Sequence, residues 1–198
     1  MNINRANLRQ EVRKRRQKLS KIEQKNAAEH LKVNFIQHLK RYKETKNSHL
    51  GIYLSNDSEL DTSLLIKELW SKNHFIYLPV IHPFNGTTLY FQRYEENSPM
   101  RANRYGILEP KLNCSQICPL QDLDYLLMPL VAFDSRGNRL GMGGGFYDKT
   151  LARYHNEKWQ KPQLIGLAHQ CQHVESLPVE PWDVPLNFII TPQKIYHW

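Results

Sequence analysis

The sequence predicts a single α/β domain of three layers, with a mostly parallel central sheet flanked by helices. Segments with strand periodicity alternate along the chain with segments of helical periodicity. Residues 123–133 are nearly all apolar, as expected for a strand that is covered on both faces of a parallel sheet. The length of 198 residues fits one domain, which we expect to span residues 1–198.

Two helices are predicted before the first strand. Residues 4–19 have helical spacing, which places four arginines on one stripe: Arg5, Arg9, Arg13 and Arg16. Ser20 and Glu23 have the spacing of a capping box and predict that a second helix begins there. The pattern then predicts a strand over 49–55, a third helix capped by Asp61, and strands over 75–81 and 89–94.

The second half of the chain begins with a predicted loop over 104–110. The apolar strand over 123–133 follows and leads into a glycine-rich loop. A helix is predicted to begin near Phe146, and late strands are predicted over 164–168 and 188–191. This alternation of strands and helices along the chain is the basis of the α/β prediction.

The positive charge is concentrated at the N-terminus. The chain has a net charge of +8, and nine of its Lys and Arg residues lie within residues 1–25, which contain two Glu. A nucleic-acid-binding protein usually spreads its positive charge over a broad face, so we expect no nucleic-acid partner. A basic helix of this kind favours nucleotide phosphates or another small polyanion, although a solvated helix face is the alternative.

The remaining composition favours the cytoplasm, and nothing in the sequence demands more than a monomer. No stretch approaches the roughly 18–20 apolar residues of a membrane span, and we expect no membrane partner. Three cysteines do not form a disulfide framework and fit a reducing compartment. His169, Cys171 and His173 would share one face of a strand and could hold a metal, but alternate polar residues at a strand end are commoner.

The glycine-rich loop indicates anion binding. Gly141, Gly143, Gly144 and Gly145 lie between a buried strand and a predicted helix start, where backbone N–H groups can approach phosphate oxygens. Phe146 stands where a P-loop requires lysine and a dinucleotide motif requires its third glycine, so neither general fingerprint applies. Asp148 falls in the first helical turn, either as a partner of the helix dipole or as a magnesium ligand.

Longer motifs around this loop resemble those of 5-formyltetrahydrofolate cyclo-ligases. They comprise residues 129–134, 137–141 and 143–148, and shorter matches follow the family's order over essentially the whole chain. The resemblance implies an ATP- and Mg²⁺-dependent cyclisation of 5-formyltetrahydrofolate to 5,10-methenyltetrahydrofolate, and the basic N-terminal helix suggests that polyglutamylated folates could be substrates. ADP and phosphate would be released after phosphoryl transfer to the formyl oxygen and attack by N10. The alternatives are an RNA-binding module, another ATP-dependent enzyme on the same scaffold, and a folate-binding regulator.

The same resemblance implies roles for particular residues. Arg139 and Tyr147 would be catalytic. ATP would be bound by Arg5, Arg9, Arg139, Gly141, Gly143, Gly144, Gly145, Phe146 and Tyr147. The folate would be bound by Arg9, Leu54, Glu59, Tyr105 and Tyr147, and magnesium by Asp148 and Asp183. Either aspartate could instead be a helix or turn cap.

Overall fold

The computed structural model of the protein describes residues 4–42 and 47–198. Its helices are α1 (Arg5–Gln17), α2 (Lys21–Arg41), α3 (Ser63–Ser71) and α4 (Phe146–Asn156). The strands are β1 (His49–Gly51), β2 (Phe75–Ile81), β3 (Leu89–Arg93), β4 (Met100–Ala102), β5 (Leu108–Pro110), β6 (Ile117–Cys118), β7 (Tyr125–Pro129), β8 (Ala132–Phe133), β9 (Arg139–Leu140), β10 (Gln163–Leu167), β11 (Phe188–Ile190) and β12 (Ile195–His197). Short 3₁₀ turns lie at Cys114–Gln116, Leu120–Asp122 and Gln170–Gln172.

The main sheet has eight strands in the order β12-β11-β10-β7-β1-β2-β3-β6. The five strands from β11 to β2 are mutually parallel, and β12, β3 and β6 join antiparallel at the edges. This arrangement confirms the predicted α/β class with a mostly parallel sheet. The parallel strands lie in the middle, where both faces can be covered.

Both faces of the sheet are covered by helices. Along β7, Tyr125 and Leu127 pack into the same apolar cluster as the buried residues of α2 and α3. Leu126 and Met128 point to the opposite face and pack with Leu151 of α4. Because successive strand residues face opposite sides, one apolar strand supplies both cores, and the three predicted layers are confirmed.

Helix α1 lies apart from these two cores. Leu8 and Val12 are buried against a third cluster that includes Val131 and Leu140. The N-cap Asn4 accepts a hydrogen bond from the Ala6 amide at 2.8 Å. The apolar side of α1 is thereby fixed to the β8–β9 region, which leaves its arginine stripe to face other segments.

Several predicted boundaries differ from those observed. The Ser20–Glu23 capping box is confirmed, but α3 begins after Thr62 rather than after a cap at Asp61. Asp61 still accepts a hydrogen bond from the Ser63 amide at 2.9 Å. The predicted strand over 49–55 is a strand only at its first three residues, His49–Gly51.

The apolar run over 123–133 is divided between two sheets. Residues Tyr125–Pro129 form β7, whereas β8 leaves the main sheet and pairs with β9. Both parts are buried except at Pro129, so hydrophobicity cannot distinguish them. The predicted loop over 104–110 is also partly a strand, because β5 pairs with β4. Within residues 4–42 and 47–198, none of the helices has the length and apolar character needed to cross a bilayer.

Candidate active site

A large cavity opens at the carboxyl ends of the central parallel strands. Its volume is about 1060 Å³, above the roughly 300–1,000 Å³ of a typical small-molecule site. Tyr53 and Leu54, which follow β1, and Leu130, which follows β7, line it. In open α/β sheets this edge is the usual place for ligands.

All the residues to which the family resemblance assigns a role line this cavity. They are Arg5, Arg9, Leu54, Glu59, Tyr105, Arg139, Gly141, Gly143, Gly144, Gly145, Phe146, Tyr147, Asp148 and Asp183. They come from α1, the segment after β1, the β4–β5 hairpin, the β9–α4 loop and the segment before β11. The structure therefore brings together residues that are up to 178 positions apart.

The glycine-rich loop has a backbone that other residues rarely adopt. Gly143 has φ of 102° and Gly145 has φ of 67°, both in the left-handed region. Gly145 is the N-cap of α4, and its carbonyl accepts a hydrogen bond from the Lys149 amide at 2.9 Å. At Gly141 an added Cβ would meet no atom within 4 Å. The loop thus presents exposed backbone and a helix N-terminus to the cavity.

Arg139 links two sides of the site. It lies on β9, and its guanidinium donates hydrogen bonds to the Asp148 carboxylate and to the Val184 carbonyl. Its side chain is only 5% exposed. Burial lowers the pKa of Arg139, and the charges of Asp148 and Asp183 oppose that effect. A buried arginine that is held by α4 and by the segment before β11 fixes the relative positions of both.

Arg5 and Arg9 of α1 face the same region. Arg5 forms a bidentate pair with Asp183, at 2.7 and 3.0 Å. Burial raises the pKa of Asp183, but the hydrogen bonds from Arg5 and from the Glu180 amide outweigh it and hold the pKa below its usual range. Arg9 donates its Nε–H to the Gly141 carbonyl at 2.8 Å. The predicted arginine stripe therefore contacts the site instead of being a solvated face.

Glu59, which follows β1, is a further carboxylate that lines the cavity. Its carboxylate accepts a hydrogen bond from the Asn56 amide at 3.0 Å. Burial raises the pKa of Glu59. Burial also raises the pKa of Tyr147. The nearby charge of Glu59 adds to this increase, and the charge of Arg139 opposes it. The Tyr147 side chain therefore senses both the Glu59 carboxylate and the Arg139 guanidinium.

Tyr105 lies at the rim of the cavity. It is on the β4–β5 hairpin, and its ring meets that of Phe146 edge-on, with centroids 6.0 Å apart. Its side chain is largely exposed. The hairpin and the glycine-rich loop are therefore adjacent walls of one opening.

The suggested metal set of His169, Cys171 and His173 is not supported. Residues Gln170–Gln172 form a 3₁₀ turn rather than a strand, so the three side chains do not share a face. His169 is buried, whereas His173 is paired with the Ser135 hydroxyl at 2.9 Å. Within the described ranges 4–42 and 47–198, no group of three or more His, Cys, Asp and Glu is arranged to hold a metal ion.

Sequence reasoning missed several cavity residues. Trp182 lines the cavity with a largely exposed side chain, and Tyr53 lines it from the end of β1. Asp57 lines it as well and contacts the arginine stripe of α1. Its position between Leu54 and Glu59 was the signal that could have identified Asp57.

Comparison with known proteins shows the family to which the chain belongs. Residues 2–192 match the 5-formyltetrahydrofolate cyclo-ligase family. A 5-formyltetrahydrofolate cyclo-ligase of Haemophilus influenzae is 47% identical over 188 residues, covering 94% of this chain and 96% of that protein. One from Escherichia coli K12 is 50% identical over 151 residues, covering 75% of this chain and 80% of that protein.

A solved structure has the same fold. The 5,10-methenyltetrahydrofolate synthetase of Aquifex aeolicus superimposes with a TM-score of 0.78 at 28% identity, covering 98% of this chain and 92% of that one. The chain therefore belongs to the 5-formyltetrahydrofolate cyclo-ligase family.

Proposed function

We propose that this member of the family cyclises 5-formyltetrahydrofolate to 5,10-methenyltetrahydrofolate with ATP, releasing ADP and phosphate. One observation carries the proposal. A single cavity of about 1060 Å³ is lined both by the glycine-rich loop with its arginines and aspartates and by Glu59. This volume exceeds that of a typical small-molecule site, so two ligands could share the cavity.

The chemistry explains why a nucleotide is needed. The formyl oxygen is a poor leaving group, so direct attack of N10 on the formyl carbon would stall. Transfer of the γ-phosphoryl group to that oxygen converts it into phosphate, which leaves after N10 attacks. The protein must then hold the two ligands in line and neutralise the charge that develops during transfer.

The part of the cavity lined by the glycine-rich loop would bind the triphosphate. The backbone of residues 141–145 offers N–H groups and close approach, and Arg9 lies directly against it. Arg139 has donors beyond the two that bond Asp148 and Val184, since a guanidinium has five N–H groups. We assign Arg139 and Tyr147 to the reacting groups and Arg5 to the phosphates.

Asp148 and Asp183 fit magnesium in the chemistry of their donors. Mg²⁺ usually takes one or two protein carboxylates and fills its shell with water and phosphate oxygens, so a three-residue cluster is not required. Both carboxylates lie near Arg139, whose charge each of them stabilises. Bound there, the ion would supply charge neutralisation to the phosphates.

The part of the cavity lined by Glu59 would bind the folate. A carboxylate can accept a pair of parallel N–H donors, such as those at the amino-pyrimidine edge of a pterin. Because burial raises the pKa of Glu59, a ligand that supplies such donors would stabilise the ionised form. Leu54, Tyr105 and Tyr147 would provide the walls.

The proposal extends to polyglutamylated folates. Lys149 and Arg9 line the cavity and could pair with additional carboxylates. A monomeric state and a cytoplasmic location stay predictions from the sequence.

The test is the near-ultraviolet absorbance of methenyltetrahydrofolate. Purified protein is mixed with 5-formyltetrahydrofolate, ATP and Mg²⁺, and each component is omitted in turn. We expect absorbance to rise only in the complete mixture. A flat trace from folded protein that still binds ATP would refute the folate substrate and leave the nucleotide site in place.

A further inference from the structure

A single carboxylate joins α1 to the turn that carries Glu59. Asp57 accepts three hydrogen bonds from α1: from Arg13 at 2.8 Å, from Arg16 at 2.9 Å and from Gln17 at 2.7 Å. The donors lie on consecutive turns of the helix, so they fix the Asp57 side chain from several directions.

Arg16 makes this contact hard to replace. Its side chain is only 1% exposed, and its other hydrogen bond, to the Leu130 carbonyl, is long at 3.4 Å. Its Nε lacks a partner among the described residues. A charge removed from water depends strongly on its counter-charge. Asp57 is therefore the group that neutralises this buried guanidinium.

The turn itself has an unusual backbone. Asp57 and Ser58 have φ of 49° and 59°, in the left-handed region that is unfavourable for residues other than glycine. Such conformations persist when the surrounding contacts hold them. The turn closes on Glu59, whose amide donates to the Asn56 carbonyl at 2.9 Å and whose carboxylate accepts from the Asn56 amide at 3.0 Å.

The same helix contacts the glycine-rich loop and Asp183, where the nucleotide is proposed to bind, through different residues. Arg5 pairs with Asp183, and Arg9 bonds the Gly141 carbonyl. Helix α1 therefore runs along one wall, and its last turns are connected to the Glu59 turn through Asp57.

We propose that Asp57 is a positioning residue that holds the turn of residues 56–59 against α1 and so orients Glu59 toward the folate. This inference rests on the proposed function, because it assigns Glu59 to the folate. Asp57 acts through Glu59 and does not itself contact the reacting atoms.

A double-mutant cycle tests the inference. The affinity of the intact protein for 5-formyltetrahydrofolate is measured by equilibrium titration, with KM and kcat measured in parallel. Asp57→Asn should weaken folate binding about tenfold or more, the scale of one misaligned hydrogen bond to a charged group. In a Glu59→Gln background the same substitution should have little further effect, because the carboxylate that it positions is gone.

Glu11→Gln is the matched control. It also removes a carboxylate that pairs with an arginine of α1, Arg15, but on the exposed side of the helix. It should leave folate affinity unchanged. If Asp57→Asn fails to fold, Arg13→Ala takes its place, because that substitution removes one of the three bonds from a side chain that is 40% exposed.

The outcomes separate the hypotheses. Equal losses of affinity in the wild-type and Glu59→Gln backgrounds would show that Asp57 has only a structural role, and unchanged affinity would also overturn the inference. If the two substitutions have additive effects on affinity while the wild-type protein converts the folate, only the role of Asp57 is refuted. A wild-type protein that neither binds nor converts the folate refutes the proposed function, and this inference fails with it.

Discussion

Replacing Arg139 with lysine tests whether this guanidinium acts on the ligands or only holds the site together. The side chain is 5% exposed and donates to the Val184 carbonyl and the Asp148 carboxylate. Lysine keeps a positive charge, but it lacks the planar fork that can span two acceptors and a phosphate at once. The variant therefore removes geometry while retaining charge.

The expected loss of stability follows from these two contacts. A buried carbonyl left without a donor, here that of Val184, costs roughly 1–3 kcal/mol. Lysine leaves Asp148, whose side chain is 24% exposed, with a positive partner, so the change there costs only the geometry of one hydrogen bond, about 1 kcal/mol. The total stays below the roughly 5–15 kcal/mol that stabilises a domain, so the variant should remain folded at 25 °C. For a chain of this length, Tm should fall by about 2–4 °C per kcal/mol.

The expected loss of activity is larger. If Arg139 stabilises charge on the transferring group, its removal should lower kcat about 10²–10³-fold, as for other donors preorganised toward a transition state. The measurements are initial rates of methenyltetrahydrofolate formation at saturating ATP and folate, with Tm determined by calorimetry on the same samples.

Arg136→Lys is the control for this substitution. Arg136 lies in the turn of the same β8–β9 hairpin, but its side chain is 65% exposed and donates to the Ser176 hydroxyl at 2.7 Å. We expect near wild-type Tm and kcat for it. A lower Tm with wild-type kcat in Arg139→Lys would refute the catalytic assignment and leave Arg139 as a structural bridge.

Three further predictions concern other parts of the site and fold. Arg9→Ala should raise the KM for ATP about tenfold, by loss of a charged contact, whereas Arg15→Ala on the exposed side of α1 should not; equal kinetics would limit Arg9 to a structural contact with the glycine-rich loop. Gly141→Ala should leave Tm unchanged, because the new Cβ meets no atom within 4 Å, yet should weaken ATP binding measured by titration; unchanged binding would argue against close phosphate approach there. Burial, and then the charge of Arg16, lower the pKa of His169 from 6.5 to about 4. The unfolded chain therefore takes up this proton at a higher pH than the folded protein does. The free energy of unfolding falls as the pH drops from 6.5 toward 4, by about 2 kcal/mol between pH 7 and 5. His169→Gln should reduce the fall in Tm over that interval, and identical falls would contradict the shift.

The features that the sequence determined by itself are local ones. Helical spacing placed the arginines of α1 on one stripe, and the Ser20–Glu23 pattern located the start of α2. The glycines at 143 and 145 occupy left-handed positions that few other residues tolerate. Each of these follows from preferences within a few residues of the chain. The longer motifs added the family, and with it the list of residues that line the cavity.

Tertiary structure alone decided which partners these residues have. Periodicity reports that a residue is buried but not what buries it, so the apolar run over 123–133 did not reveal that β8 leaves the main sheet. Burial likewise cannot show that Arg16 is neutralised by Asp57, 41 positions away, or that Arg139 joins Asp148 to Val184. Those pairings exist because the parallel sheet brings the ends of distant strands to one edge, and no local preference encodes that convergence.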